Sequence, residues 1–193
     1  DVIDAVLKVF AGSVNKELVA SLVAAGAPAV GLSGIDGSLA EARQLNPELG
    51  AVGEIVQTNP AVLNALVEHG FIPVVACVAG DRTGAIYNVN ADQMAVACAA
   101  GYQAARLLFL TDVDGVRGAD GTTLPVADVA ACQDLITQGV ATGGMQAKLN
   151  SACAALAQGV GEVIIAPGSA PRVIERLLGG EVLGTRIVKE VQQ

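Results

Sequence analysis

The stretch Ala85–Gly101, AIYNVNADQMAVACAAG, joins a polar cluster to an apolar helix, and the rest of the chain reads outward from it. Two side-chain amides and a carboxylate, Asn88, Asn90 and Asp92, stand directly ahead of Met94–Ala100, a run that is apolar on nearly every side. Such a run predicts a helix buried within a larger domain. Asn90 is a good N-cap, and Gln93 three residues later completes a capping-box spacing. Two readings stay open from this stretch alone. It is either a well-capped core helix, or a helix start whose N–H groups and outward polar side chains hold an anionic ligand.

Downstream, ARLLFLTDVDGVRG (105–118) reads as a strand ending abruptly at Thr111, Asp112, Asp114 and Gly115. Residues from about Pro125 to Gly139 read as a polar-faced helix. ATGGMQAKLNSACAALAQG (141–159) is a glycine turn feeding a long helix that Gly159 stops. EVIIAPG is a strand, Ala170 to Leu178 a helix, and LGTRIVKE a last strand. Upstream, Val2, Ala5, Val6, Val9 and Phe10 recur at helical spacing, with Asp4 and Lys8 on the other face. Gly12 and Ser13 are expected to interrupt that helix, and Asn15 to cap a second one through Ala25. Pro28 to Leu32 is strand-like, Gly34, Asp36 and Gly37 make a tight turn, and Ser38 to Gln57 suggests hairpins at a sheet edge. Asn59-Pro60 opens a helix closed by Gly70, and FIPVVACVA (71–79) is expected to be one buried strand. The sole histidine, His69, falls in that helix's last turn, where a positive group suits the dipole, and reads as structural.

Strands alternating with helices at this rhythm predict an α/β fold, a three-layer αβα sandwich with a mainly parallel sheet. No long repeat or linker divides the 193 residues, which predicts one domain over 1–193. The net charge of −8 argues against nucleic acid or an anionic membrane as partner, although phosphate ligands need only a few local cations. Apolar residues make up 52% of the chain, yet no run approaches the ~18 residues of a membrane span. The four cysteines, Cys77, Cys98, Cys132 and Cys153, fit neither a zinc spacing nor a redox CxxC. They read as reduced core residues of a cytoplasmic protein. The start has no signal-peptide character and falls inside a helix pattern without Met, so an upstream portion is expected.

Chemistry concentrates in three clusters, each where a parallel sheet presents strand ends and helix starts. They are Asn88, Asn90 and Asp92; Thr111, Asp112, Val113, Asp114, Gly115 and Val116; and the segment 141–148. In the last, Gly143-Gly144 free the backbone to approach a ligand, and Lys148 falls near the start of a helix. A lysine there opposes the dipole unless an anion lies between it and the N–H groups. The alternative is an exposed, solubilising lysine. Walker, GxGxxG and protein-kinase signatures are absent from the sequence.

NVNADQMA, LLFLTDVDGV and GGMQAKL, in that order, with GSVNKELVASL ahead and LGTRI behind, resemble the acetylglutamate kinases of the amino acid kinase family. The resemblance covers essentially the whole chain. It implies ATP-dependent phosphorylation of the γ-carboxylate of N-acetyl-L-glutamate, with ATP/ADP and Mg²⁺ as cofactors. It implies catalytic roles for Lys148, on the transferring phosphoryl, and for Asp92, which would hold lysines in place. Asn88 and Asn90 would bind substrate, while Thr111 to Val116 and Val140, Ala141 and Thr142 would line the nucleotide. No metal ligand is assigned. On this reading residues 1–100 are mainly the amino-acid-substrate part and 101–193 mainly the nucleotide part, in a homodimer or higher homo-oligomer. The family opens with a strand and loop carrying a Lys and paired glycines, then an Arg, and nothing here matches them. Other acceptors within the family (aminoadipate on a carrier protein, aspartate, carbamate) and a non-catalytic metabolite-binding subunit are the alternatives.

Overall fold

The computed structural model describes residues 2–190, which form two compact units, 2–102 and 103–190. The fold is α/β, and among the described residues five of the eight strand pairings are parallel against three antiparallel.

The first unit opens with α1 (Val2–Val6), a wider π-helical stretch (Leu7–Val14) and α2 (Asn15–Ala24). These are one continuous helix, so Gly12 and Ser13 do not break it. Asn15 is not a cap either: its backbone is helical and its N–H donates to Phe10 O. The buried side chain instead donates to Val74 O at 2.8 Å and to Leu32 O at 3.4 Å. Those carbonyls belong to β1 (Ala29–Ser33) and β4 (Ile72–Ala76), a parallel pair that the amide bridges. Between them run β2 (Ala40–Gln44), β3 (Val52–Thr58) and α3 (Ala61–Glu68). The β2–β3 hairpin is as expected. The stretch 71–79 is not a single buried strand. It breaks at Cys77 into β4, with Ile72 exposed, and β5 (Val78–Gly80), which pairs with β6 (Ile86–Val89). β2, β3, β6 and β5 close into a small barrel. Ala40, Ala42, Ala79, Val89 and Met94 fill its core, the last contributed by α4 (Ala91–Tyr102).

The second unit is a four-stranded sheet in the order β7 (Arg106–Thr111), β9 (Glu162–Pro167), β10 (Thr185–Val188), β8 (Val126–Asp128). β9 has Val163, Ile164, Ile165 and Ala166 all buried, the continuous apolar run expected of a strand covered on both faces. The helix expected over 125–139 begins later than foreseen. Val126–Asp128 is β8, and Asp128 then caps α5 (Val129–Thr137) by accepting from Ala131 N–H at 2.8 Å. α6 (Gly143–Ala157) buries Leu149, Ala152, Ala155 and Leu156 on one face. α7 (Val173–Leu178) places Val173 and Leu177 against Ile164 and Ala166. Gly184 brings β10 beside β9: its φ is +80°, and a Cβ there would fall 2.1 Å from Ile165 O. No helix among the described residues is long and apolar enough to cross a membrane.

Candidate active site

In the first unit the polar cluster is built at the junction of β6 and α4. Asn88 sits in β6 between two neighbours, opposite Val52 of β3 and Val78 of β5. Its own N–H donates to Ala51 O at 2.9 Å, which fixes the backbone on which the half-buried side-chain amide is carried. Asn90 performs the capping expected of it. Its Oδ1 accepts from the N–H groups of Asp92 at 2.9 Å and Gln93 at 3.2 Å. Asp92 lies in the first turn of α4, the end where the dipole favours a carboxylate. Asn88, Asn90 and Asp92 therefore share one strand-to-helix corner.

The second unit gathers the other clusters at one end of its sheet. β7 and β9 run parallel, with Thr111 opposite Pro167 at their C-terminal ends. α6 precedes β9 through a short turn and returns alongside it, so its N-terminus lies at that same end. Thr111 Oγ1 donates to Asp112 Oδ1 at 3.1 Å, and Thr111 O accepts from Gly168 N–H at 2.7 Å. Asp112, Val113 and Asp114 are exposed, then the chain turns inward to Val116, which is fully buried. Gly115 makes that turn with φ +144°, and a Cβ there would meet Thr123 and Thr185 at 2.8 Å each. Thr185 holds the loop closed. Its Oγ1 accepts from Val116 N–H at 2.8 Å and donates to Leu124 O at 2.6 Å.

The segment between α5 and α6 is anchored at its start, where the N–H groups of Val140 and Ala141 both donate to Leu135 O. Thr142 stands at the N-cap position of α6 with extended backbone, and its side chain does not cap the helix. Around Gly143 and Gly144 a Cβ would meet no atom within 4 Å, so that side is open to an approaching group. Their N–H groups belong to the first turn, which has no intrahelical acceptor. Lys148 is the sixth residue of α6, one turn farther in than the dipole argument from sequence placed it. It is half-buried, with its Nζ 5.6 Å from the ring centroid of Phe109 on β7, a cation–π distance. The buried ring thus seats the ammonium over β7, two residues before the strand ends at Thr111.

Three positioning residues escaped the sequence reading: Thr185, Phe109 and Asn15. All three lie in quoted motifs, Thr185 in LGTRI, Phe109 in LLFLTDVDGV and Asn15 in GSVNKELVASL, but Phe109 and Asn15 carry ordinary core and capping patterns and nothing local marks the threonine. Among the described residues no three His, Cys, Asp or Glu side chains gather into a group able to hold a metal ion.

The sequence pattern of the Amino acid kinase family matches residues 1–167. An acetylglutamate kinase of Solibacter usitatus is 63% identical over 188 residues, covering 97% of this chain and 73% of the relative. An acetylglutamate kinase of Acidobacterium capsulatum is 45% identical, covering 96% of this chain and 72% of its own length. Among solved structures, the N-acetylglutamate synthase of Neisseria gonorrhoeae complexed with coenzyme A and N-acetyl-glutamate superposes with a TM-score of 0.86. That match is 27% identical and covers 98% of this chain and 44% of the synthase. With 63% identity across nearly all of its length, the chain belongs to the acetylglutamate kinases of the amino acid kinase family.

Proposed function

We propose that the protein transfers the γ-phosphoryl group of ATP to the γ-carboxylate of N-acetyl-L-glutamate, giving N-acetylglutamyl 5-phosphate for arginine biosynthesis. The observation that carries this reading is the 63% identity to an acetylglutamate kinase, with every singled-out polar cluster in an ordered strand-to-helix corner or loop. A phosphotransferase acting on a carboxylate needs no strong base, because the acceptor is already ionised at neutral pH. Its work is alignment of acceptor and donor plus neutralisation of charge on the phosphoryl oxygens.

The residues present suit that work. Lys148, steadied over Phe109, supplies a positive charge to the transferring phosphoryl. The open backbone at Gly143 and Gly144 and the N-terminus of α6 receive phosphate oxygens. Thr111 to Val116 and Val140 to Thr142 line the nucleotide, and Mg²⁺ bound with it would neutralise charge on its phosphates. Asn88 donates its amide to the acetylated substrate, Asn90 assists through its amide nitrogen while Oδ1 keeps the start of α4 in place, and Asp92 orients catalytic lysines. Homodimers or higher homo-oligomers are proposed as well, in keeping with the exposed apolar side chains Val9, Phe10, Val14 and Leu18 on the first helix. A cytoplasmic location is proposed too, in keeping with four free cysteines.

A coupled ADP-release assay on the full-length protein, any upstream portion included, with N-acetyl-L-glutamate, aspartate, carbamate and aminoadipate as acceptors tests the reading. Turnover with acetylglutamate alone is expected. Faster turnover with any of the other three, or ADP binding without turnover on any acceptor, would replace this reading with one of its rivals.

A further inference from the structure

The β2–β3 hairpin meets the strand that carries Asn88, and few backbone pairings hold it there. Among the described residues it pairs with β6 at Val52↔Asn88 and Gly53↔Val89, and with β5 at Glu41↔Gly80. Alternation along β6 turns Tyr87 and Val89 toward the barrel core and Asn88 to the other side. Gly53 is buried, and a Cβ there would fall 2.6 Å from Tyr87 Cβ and 3.0 Å from Tyr87 Cγ. The missing side chain is what lets β3 settle onto the tyrosine. The ring in turn is tethered, because Tyr87 Oη donates to Asp81 Oδ2 at 3.0 Å. Asp81 is itself fixed by the β5–β6 turn, its Oδ1 accepting from Thr83 N–H at 2.8 Å, Thr83 Oγ1 at 2.7 Å and Ala85 N–H at 3.0 Å. Contacts thus run from Asp81 through Tyr87 to Gly53, one residue from Val52 and two from Ala51, whose C=O accepts from Asn88 N–H at 2.9 Å. Neither Tyr87 nor Gly53 belongs to the polar clusters.

We propose that Tyr87 and Gly53 are positioning residues for the acceptor: the tethered ring, seated where Gly53 has no side chain, sets how closely β3 lies beside Asn88. This rests on the acetylglutamate kinase reading, in which Asn88 binds the acetylated substrate. The seat touches neither the phosphoryl group nor the nucleotide, which that reading gives to the second unit. It therefore holds the acceptor equally in the ground state and the transition state, and such uniform binding appears in KM and not in kcat. A side chain with a merely structural role behaves differently. Its loss lowers Tm and the fraction of active protein, and so the apparent kcat, at unchanged KM.

The test is steady-state kinetics on the full-length protein, any upstream portion included, with N-acetyl-L-glutamate varied at saturating ATP, beside calorimetry with ADP. Gly53→Ala should raise KM for acetylglutamate by about tenfold or more, with kcat within about twofold and ADP affinity unaltered. Tyr87→Phe keeps the ring and drops the tether, so KM should rise by about two- to tenfold, the worth of one hydrogen bond. In a Tyr87→Gly background the methyl of Gly53→Ala has no tyrosine to strike, and its nearest remaining neighbour is Arg43 O at 3.2 Å. There it should add less than about twofold, the non-additivity expected of residues in contact. An unchanged KM in both single variants, or a fall in kcat at unchanged KM, would overturn the proposal. So would an equal effect of Gly53→Ala with and without Tyr87. Should Gly53→Ala fail to fold, Tyr87→Phe decides, and an unchanged KM refutes the seat. A wild type without turnover on acetylglutamate would overturn the kinase reading and the seat with it, whereas normal turnover with unmoved KM values overturns the seat alone.

Discussion

Replacing Thr185 by valine keeps the shape of a fully buried side chain and removes only its hydroxyl. Two groups then lose their partner, the N–H of Val116 at 2.8 Å and the C=O of Leu124 at 2.6 Å. Val116 is 0% exposed, so water does not reach its N–H without local opening. Leaving a buried polar group unmet costs about 1–3 kcal/mol, less for the partly buried carbonyl, giving a total of about 2–4 kcal/mol. At roughly 2–4 °C per kcal/mol for a chain of this size, Tm should fall by about 5–15 °C. Thr185→Ser keeps the hydroxyl and loses one methyl group, about 0.8 kcal/mol of burial, and should recover most of that stability. Thermal unfolding of both variants beside wild type, read by circular dichroism, measures the difference. The two ends of the 116–124 loop are what Thr185 joins, so ADP affinity should fall in the valine variant and return in the serine one. A valine variant within about 0.5 kcal/mol of wild type, or a serine variant as weak as the valine one, would show that the hydroxyl does not close the loop.

Lys148→Ala should lower kcat about 100-fold or more while KM for acetylglutamate changes little, because its charge acts on the developing transition state. An unchanged kcat with raised KM in the coupled assay would make it a substrate clamp. Asn88→Ala should weaken acetylglutamate binding about 10- to 100-fold by calorimetry, the loss of one hydrogen bond to a charged ligand, with ADP affinity unaltered. Loss of ADP affinity alone would move Asn88 out of the acceptor site. Asn15→Ala should destabilise the protein by about 1–3 kcal/mol in urea unfolding, since the carbonyls of Leu32 and Val74 lose their shared donor. A neutral effect would mean that water replaces the amide.

Local rules carried the sequence reading wherever one residue type decides a backbone choice. Asn90 as cap of α4, the hairpin within 38–57, and the glycine entry to α6 all follow from capping and turn chemistry. The errors lie where distant contacts outweighed local preference. Asn15 favours a cap by itself, yet two strand carbonyls draw its amide inward and the helix runs straight through it. Val126–Asp128 sits in a stretch with helical patterning, and pairing with β10 turns it into a strand. The break at Cys77 was invisible in an unbroken apolar run, because it comes from the separate pairing of β1 with β4 and β6 with β5. In the candidate site the polar side chains were legible, since buried or clustered polar residues are few. Their supports were not. Phe109 beneath Lys148 looks like any other apolar strand residue until the helix is folded over it.

The wide turns of Leu7–Val14 set the angular phase with which the helix arrives at Asn15. Each residue of an α-helix advances the azimuth by about 100°, so the faces that Val2–Val6 and Asn15 present are tied together by the count of residues between them. A single insertion or deletion within 7–14 would keep the helix and its composition while turning those two faces against each other by about 100°. Chain length in this segment is thus constrained together with its composition.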